Sequence, residues 1–263
     1  MKKRLLVLLC VLGSGQLVCA QKILYLKPVI GRQTPVCRFD KSIPNEKGLI
    51  EPLWRMNWSY GALLALKLND DWTIQTGLEN GFTGWHFRRS SESTAIANNV
   101  EGYWAFHQTH RLELLVQRRL LTVMALNLDP EKELYLLNFD LYATAGVSYN
   151  LIPKRGAGTD STILGTYPDN NPPESDHSYY RFLRTRSGAI YVGIGTQFYH
   201  QNNPRFDFTL FYSQGLSDVL AVEIINNRQG NLRTVAKLRT RGSVIGATLA
   251  YPIRLKTFER KRV

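Results

Sequence analysis

Three groups of residues carry side chains able to do proton or phosphate chemistry. Glu79, Glu113, Asp140 and Asp207 fall on stretches that also hold Lys67, Arg111 and Arg119. Acids and bases facing one another there could form a proton-transferring pair. They could equally make a salt-bridged polar core, since a buried charge is tolerated only when it is paired; the pattern favours the core. The histidines are His86, His107, His110, His177 and His200. A rim site built from His86, His107, Asp176, His177 and nearby serines is the enzymatic alternative, a lipid-modifying activity. No histidine pair has zinc-motif spacing and no GxSxG element occurs, so nothing in the spacing supports it. The third group is Arg88, Arg89, Lys154, Arg155, Arg181, Arg184 and Arg186, in polar stretches between apolar runs. Guanidinium and ammonium groups in such places clamp phosphates or form a solvated basic rim. These seven are the candidate phosphate or lipopolysaccharide contacts. No catalytic, metal or cofactor-binding residue is assigned, and no cofactor is expected.

The elements that position them are read from residues 134 to 151, LYLLNFDLYATAGVSYNL. Odd positions there are Tyr135, Leu137, Phe139, Leu141, Ala143, Ala145, Val147, Tyr149 and Leu151. Even positions from 138 onward are Asn138, Asp140, Tyr142, Thr144, Gly146, Ser148 and Asn150. A period of two means a strand with an apolar and a polar face. Its length exceeds the roughly 5 to 6 residues of a soluble strand and suits a tilted membrane crossing with aromatics at its ends.

Seven further runs repeat the pattern. They lie at 22–32, from Trp58 to Leu68, from Trp72 toward Phe87, from His110 to Ala125, from Ile190 to Phe198, from Phe206 to Ser213 and from Val244 to Lys256. Trp72 and Trp85 would mark opposite membrane interfaces. Asn69-Asp70-Asp71, residues 127–132 and Asn202–Arg205 read as short turns. Residues 33–56, 88–109, 152–187 and 217–239 read as long loops. Long and short connections alternate, the sorting seen in outer-membrane barrels, where an even strand count leaves both termini periplasmic. The expected fold is all-β, an eight-stranded antiparallel up-and-down transmembrane β-barrel spanning residues 21–263.

Residues 1–20 read as a secretory signal peptide: Lys2, Lys3 and Arg4, an apolar run from Leu5 to Leu12, then Val18-Cys19-Ala20 before Gln21. Without it the net charge falls from +12 to +9, 30 basic against 21 acidic residues. Cys37 is then the one cysteine left, so no internal disulfide is expected. The basic balance suits a polyanion, and no nucleic-acid-binding signature accompanies it. In a gram-negative envelope that polyanion is lipopolysaccharide.

Leu112-Glu113-Leu114, Ala145-Gly146-Val147-Ser148-Tyr149, Gly215-Leu216-Ser217-Asp218 and Tyr251-Pro252 resemble the PorT-like outer-membrane β-barrel family. The resemblance implies an outer-membrane barrel, with some members linked to a secretion system. Eight strands leave an interior filled by side chains. The expectation is therefore a non-enzymatic outer-membrane protein whose long basic extracellular loops bind lipopolysaccharide or an envelope partner protein. Outer-membrane lipid and the barrel-assembly machinery are its other expected partners, and nucleic acid is not one.

Overall fold

A computed structural model describes residues 22–39, 50–52, 55–89, 102–124, 138–153, 160–167, 174–200, 203–228 and 231–258. The leader at 1–20 and positions 134–137, Tyr135 included, lie outside them. The strands are β1 (Lys22–Phe39), β2 (Ile50–Pro52), β3 (Asn57–Lys67), β4 (Trp72–Arg89), β5 (Gly102–Met124), β6 (Asn138–Leu151), β7 (Asp160–Tyr167), β8 (Glu174–Phe182), β9 (Arg186–His200), β10 (Asn203–Gly215), β11 (Leu220–Arg228), β12 (Asn231–Ala250) and β13 (Ile253–Phe258).

Eight of them close into a ring. β1, β3, β4, β5, β6, β9, β10 and β12 are joined in that order by antiparallel ladders. β12 then pairs back onto β1 from Val29↔Ala250 to Phe39↔Leu238. β13 carries β12 onward along the same side of β1, with Leu26 facing Ile253. These are the eight strands expected from the alternation.

The register fixes the barrel's dimensions. Partner to partner around the ring, the path runs Tyr25, Ala65, Gln75, Leu115, Gly146, Tyr191, Ser213 and Val244, then returns to β1 at Pro35. The displacement from 25 to 35 is a shear of ten residues. With a strand rise of about 3.3 Å and a spacing of about 4.8 Å, that tilts the strands by roughly 40° and gives a radius of roughly 8 Å. A cylinder of that width has room for side chains and little else.

The two faces of the wall divide by chemistry. Gln75, Glu79, Arg111, Glu113, Gln117, Thr144 and Asp207 are buried inside, while Leu64, Leu78, Leu114, Val192, Ile194 and Leu210 are exposed outside. Water does not favour that arrangement and hydrocarbon does, and the ladders of the ring satisfy the backbone polar groups of its wall along every pair of strands but the foot of the β10–β12 seam. The outer apolar band ends in aromatics. Ala65 faces Gln75, seven residues from Trp58 and three from Trp72, so the two tryptophans stand roughly 22 Å apart along the axis. That matches the band of about 25 Å typical of membrane barrels. Arg32 lies 4.9 Å over the Trp58 ring and Arg118 lies 5.4 Å over that of Trp72, a cation at each edge of the band. For Trp85 only the backbone is described.

Local chemistry explains the turns. Asn69 Oδ1 accepts from the amides of Asp71 (2.9 Å) and Trp72 (2.8 Å), the self-capping bonds that made this tripeptide legible as a hairpin. Gly195 stands where a Cβ would come within 2.7 Å of the Tyr142 ring. Its bare backbone lets Tyr142 cross to bond Thr209 at 2.6 Å.

Three stretches read as irregular loops contain strands instead. The ladder between β4 and β5 continues from Gly81↔Thr109 up to Arg88↔Gly102, within 88–109. β7 and β8 pair within 152–187, and β11 pairs both β8 and β12 within 217–239. Beyond the band no hydrocarbon faces the wall, so these strands need not carry the apolar and polar alternation that marks a membrane strand. The resulting extension has its own apolar centre of Ile152, Val219, Leu220, Val222, Ile224, Ala236 and Leu238, with Cys37 and Phe182 against it. Residues 33–39 also belong to β1, and β2 pairs β4 at Ile50↔Arg89.

Candidate functional site

Inside the ring the cations Arg111 and Lys27 pair with buried carboxylates, while Glu113 Oε1 has no hydrogen-bond partner among the described residues. Arg111 Nη2 donates to Glu79 Oε1 and to Gln33 Oε1, both at 2.6 Å, and its guanidinium sits 5.7 Å from the Phe211 ring. Nearer the N-terminal end of β1, Lys27 bonds Asp207 at 2.5 Å and Gln197 bonds the other oxygen of that carboxylate at 2.7 Å. Asp140 accepts from Thr122 at 2.5 Å and Tyr199 at 2.8 Å. A cavity of about 30 Å³ lies among Lys27, Gln75, Glu79, Glu113 and Asp207, room for about one water. The acids expected to face inward do so. Lys67 does not join them and Arg119 does so only at its far reach: Lys67 pairs with Asp70 at 3.0 Å and Arg119 with Asp71 at 2.9 Å, at the short turn. Those strand ends lie beside Asp70 and Asp71, which reach the cations before any lumen carboxylate can. Arg119 keeps a long contact of 3.9 Å to Asp140. Lys27, blurred by the neighbouring Pro28 in the sequence, is the lumen base that the alternation missed.

The exposed chemistry is at the other end of the barrel, above Trp58. β12 carries a bulge opposite Val36 and Cys37, with Gly242 at φ +73°, the left-handed region a glycine enters without strain. Thr240 Oγ1 ties the bulge down, donating to Val36 O and accepting from the Gly242 amide, each at 3.1 Å. Arg239 and Arg241 on β12 and Arg38 on β1 then converge on Asp218, in the link between β10 and β11. Arg38 bonds both its oxygens at 2.9 and 3.1 Å, Arg241 Nε one at 3.2 Å, and Arg239 reaches the other at 3.5 Å. Three guanidinium groups share this one carboxylate.

Arg181, Arg184 and Arg186 are exposed on the adjoining segment. The amides of Leu183 and Arg184 both donate to Val219 O, at 2.8 and 3.2 Å, which places that segment beside Asp218. Two arginine trios thus share one stretch of rim. Of the other candidates, Arg88 and Arg89 lie on β4 with only their backbone described, and Lys154 and Arg155 lie outside the described residues. Arg38 and Arg239 fall in the stretches read as loops, 33–56 and 217–239, and Arg241 falls between the second of these and the last strand; only the pairing of β1 with β12 brings the three together. Asp218 stood in the Gly215–Asp218 motif, whose role the sequence alone did not reveal.

Burial by itself raises the Asp218 carboxyl, but hydrogen bonds from Arg241, Arg38 and Arg239 outweigh it and hold the group below the usual carboxylate range. A carboxyl depressed in the folded state contributes stability above its unfolded pKa, about 3.9, and loses it as pH falls through the lower folded value. Asp218→Asn is therefore expected to lower the urea midpoint of the extension from about pH 5 to 8, with variant and parent converging once the pH falls below the folded value. Equal midpoints at pH 7 would show that the cluster is not coupled to folding.

Two of the five histidines, His107 and His110, have described side chains. His107 packs edge-on against Phe182 with ring centroids 4.7 Å apart, while His110 bonds Asn80. Side chains of His86, His177, His200 and Asp176 are not among those described.

No protein-family model and no curated protein matches the chain. Solved structures similar to it include the outer membrane protein OprG of Pseudomonas aeruginosa, at 11% identity over 90% of this chain and 97% of that one, with a TM-score of 0.38. The attachment invasion locus protein Ail of Yersinia pestis is similar at 11% identity over 89% and 99%, with a TM-score of 0.30. At those values the closed ring and its register rest on this chain's own strand pairing.

Proposed function

We propose that the protein is a non-enzymatic bacterial outer-membrane barrel that binds lipopolysaccharide phosphates on its outer rim. The observation that carries this reading is the double arginine cluster, Arg38, Arg239 and Arg241 beside Arg181, Arg184 and Arg186, just above the aromatic edge of the apolar band. Phosphorylated sugars of the outer leaflet lie at that height, and guanidinium forks suit them. The leader at residues 1–20, insertion by the barrel-assembly machinery and periplasmic termini belong to the same reading. Membership of the PorT-like family and an envelope protein partner remain compatible with it, resting on the short motifs quoted above.

Purified full-length chain in detergent, titrated with lipopolysaccharide, tests the proposal. Changing Arg38, Arg239 and Arg241 together to glutamine is expected to weaken binding at least tenfold at low salt, with a shallower salt dependence. A second triple variant at Arg181, Arg184 and Arg186 is expected to do the same. Unchanged affinity in both would refute the reading.

A further inference from the structure

The ring is fully laddered except along one seam. β10 pairs β12 from Ser213↔Val244 to Asp207↔Ala250 and no further. Below that point the chain bends at Tyr251 and Pro252. Tyr251 still donates its amide to Pro28 O at 3.1 Å, and β13 runs on along β1 alone. Pro252 would face Arg205 if the ladder continued. A proline has no N–H to offer it. Arg205 itself lies in a bulge of β10, between Pro204↔Tyr199 and Phe206↔Phe198. The edge of β13 turned away from β1 therefore has no strand on it among the described residues.

An apolar groove of about 500 Å³ opens on the outer wall at the head of this seam, lined by Pro28, Ile30, Phe206, Leu249 and Tyr251. It lies within the lipid-facing band. At the foot of the seam, toward the N-terminal end of β1, Arg205, Arg254, Lys256 and Lys22 are all exposed. Asp207, two residues from Arg205 on β10, is committed to Lys27 and Gln197. A greasy slot leads down to exposed cations and, among the described residues, to amides without a ladder.

We infer that this seam seats one anionic glycerophospholipid of the inner, periplasmic leaflet, its acyl chain in the groove and its phosphate held by Arg205, Lys256 and the free edge of β13. The inference rests on the apolar band facing lipid. A phosphate supplies what the seam lacks, oxygen acceptors for unladdered N–H groups and negative charge for the cations. A second copy of the chain would bring the same cations against themselves.

The test is native mass spectrometry on the delipidated full chain in detergent, given phosphatidylglycerol or zwitterionic phosphatidylethanolamine. One phosphatidylglycerol per chain is expected to stay bound, at least tenfold in preference to phosphatidylethanolamine. The pair Arg205→Gln and Lys256→Gln is expected to remove that preference. Leu249→Trp, which fills the groove without touching charge, is expected to lower retention of both lipids. Each variant is checked for the heat-dependent gel shift of a folded barrel. Equal retention of the two lipids, retention unaffected by the charge pair, or a dimer in place of the lipid adduct would overturn the inference. Loss of the gel shift in the parent chain would instead remove the membrane reading beneath it.

Discussion

Arg111→Met is expected to lower the unfolding free energy of the barrel by about 3–5 kcal/mol, the usual consequence of removing one partner of a buried ion pair. Arg111 is 3% exposed, as close to sealed as its partner Glu79 at 4% and its neighbour Glu113 at 2%. Methionine would fill much of the space, yet two carboxyl groups would then face each other with no cation between them. The loss comes mainly from charge left behind, so Glu79→Gln in the Arg111→Met background is expected to recover a large part of it. Urea titration of the chain in lipid vesicles, read by the heat-dependent gel shift, gives the numbers. A change below about 1 kcal/mol for Arg111→Met would show that the lumen network does not hold the wall together.

Ile194→Arg is expected to cost about 2–4 kcal/mol, the penalty for arginine near the bilayer midplane of a barrel. The size of the effect depends on which solvent the residue meets. Ile194 is 49% exposed and Leu232 is 66% exposed, so by accessibility alone the two should tolerate change alike. Ile194 lies mid-band on β9, whereas Leu232 lies on the stretch of β12 that pairs β11 beyond the ring. Leu232→Arg is therefore expected to stay within about 0.5 kcal/mol, as surface substitutions in water do. Equal costs at the two sites, measured in the same vesicles, would mean that the apolar band does not face hydrocarbon.

That contrast also explains which parts of the fold were legible. Within the band two solvents meet at the wall, so Phe208 and Leu210 alternate with Asp207 and Thr209 and the strand announces itself. Above the band there is no hydrocarbon to keep one face apolar. The β8 sequence Glu174–Phe182 keeps its pairing there and loses its pattern. β11 is a different case, because Leu220, Val222 and Ile224 do alternate; their apolar face meets a small core outside the membrane, which a membrane template does not anticipate. The lumen charges were legible by parity and their partners were not. Register decides that Glu79 faces Arg111 and Asp207 meets Lys27, and register depends on a ten-residue shear that accumulates around the whole ring. The Asp218 cluster needed the bulge at Gly242, which brings together residues about 180 positions apart.

β12 belongs to both bodies at once. Its first half packs Ala236 and Leu238 into the apolar centre of the extension, and its second half completes the wall against β1 and β10. A ligand pulling outward on the β11–β12 hairpin would load those wall ladders lengthwise, many bonds sharing the force together, and would not peel them one by one. The β11–β12 hairpin is thus mechanically fastened to the barrel wall through the second half of β12.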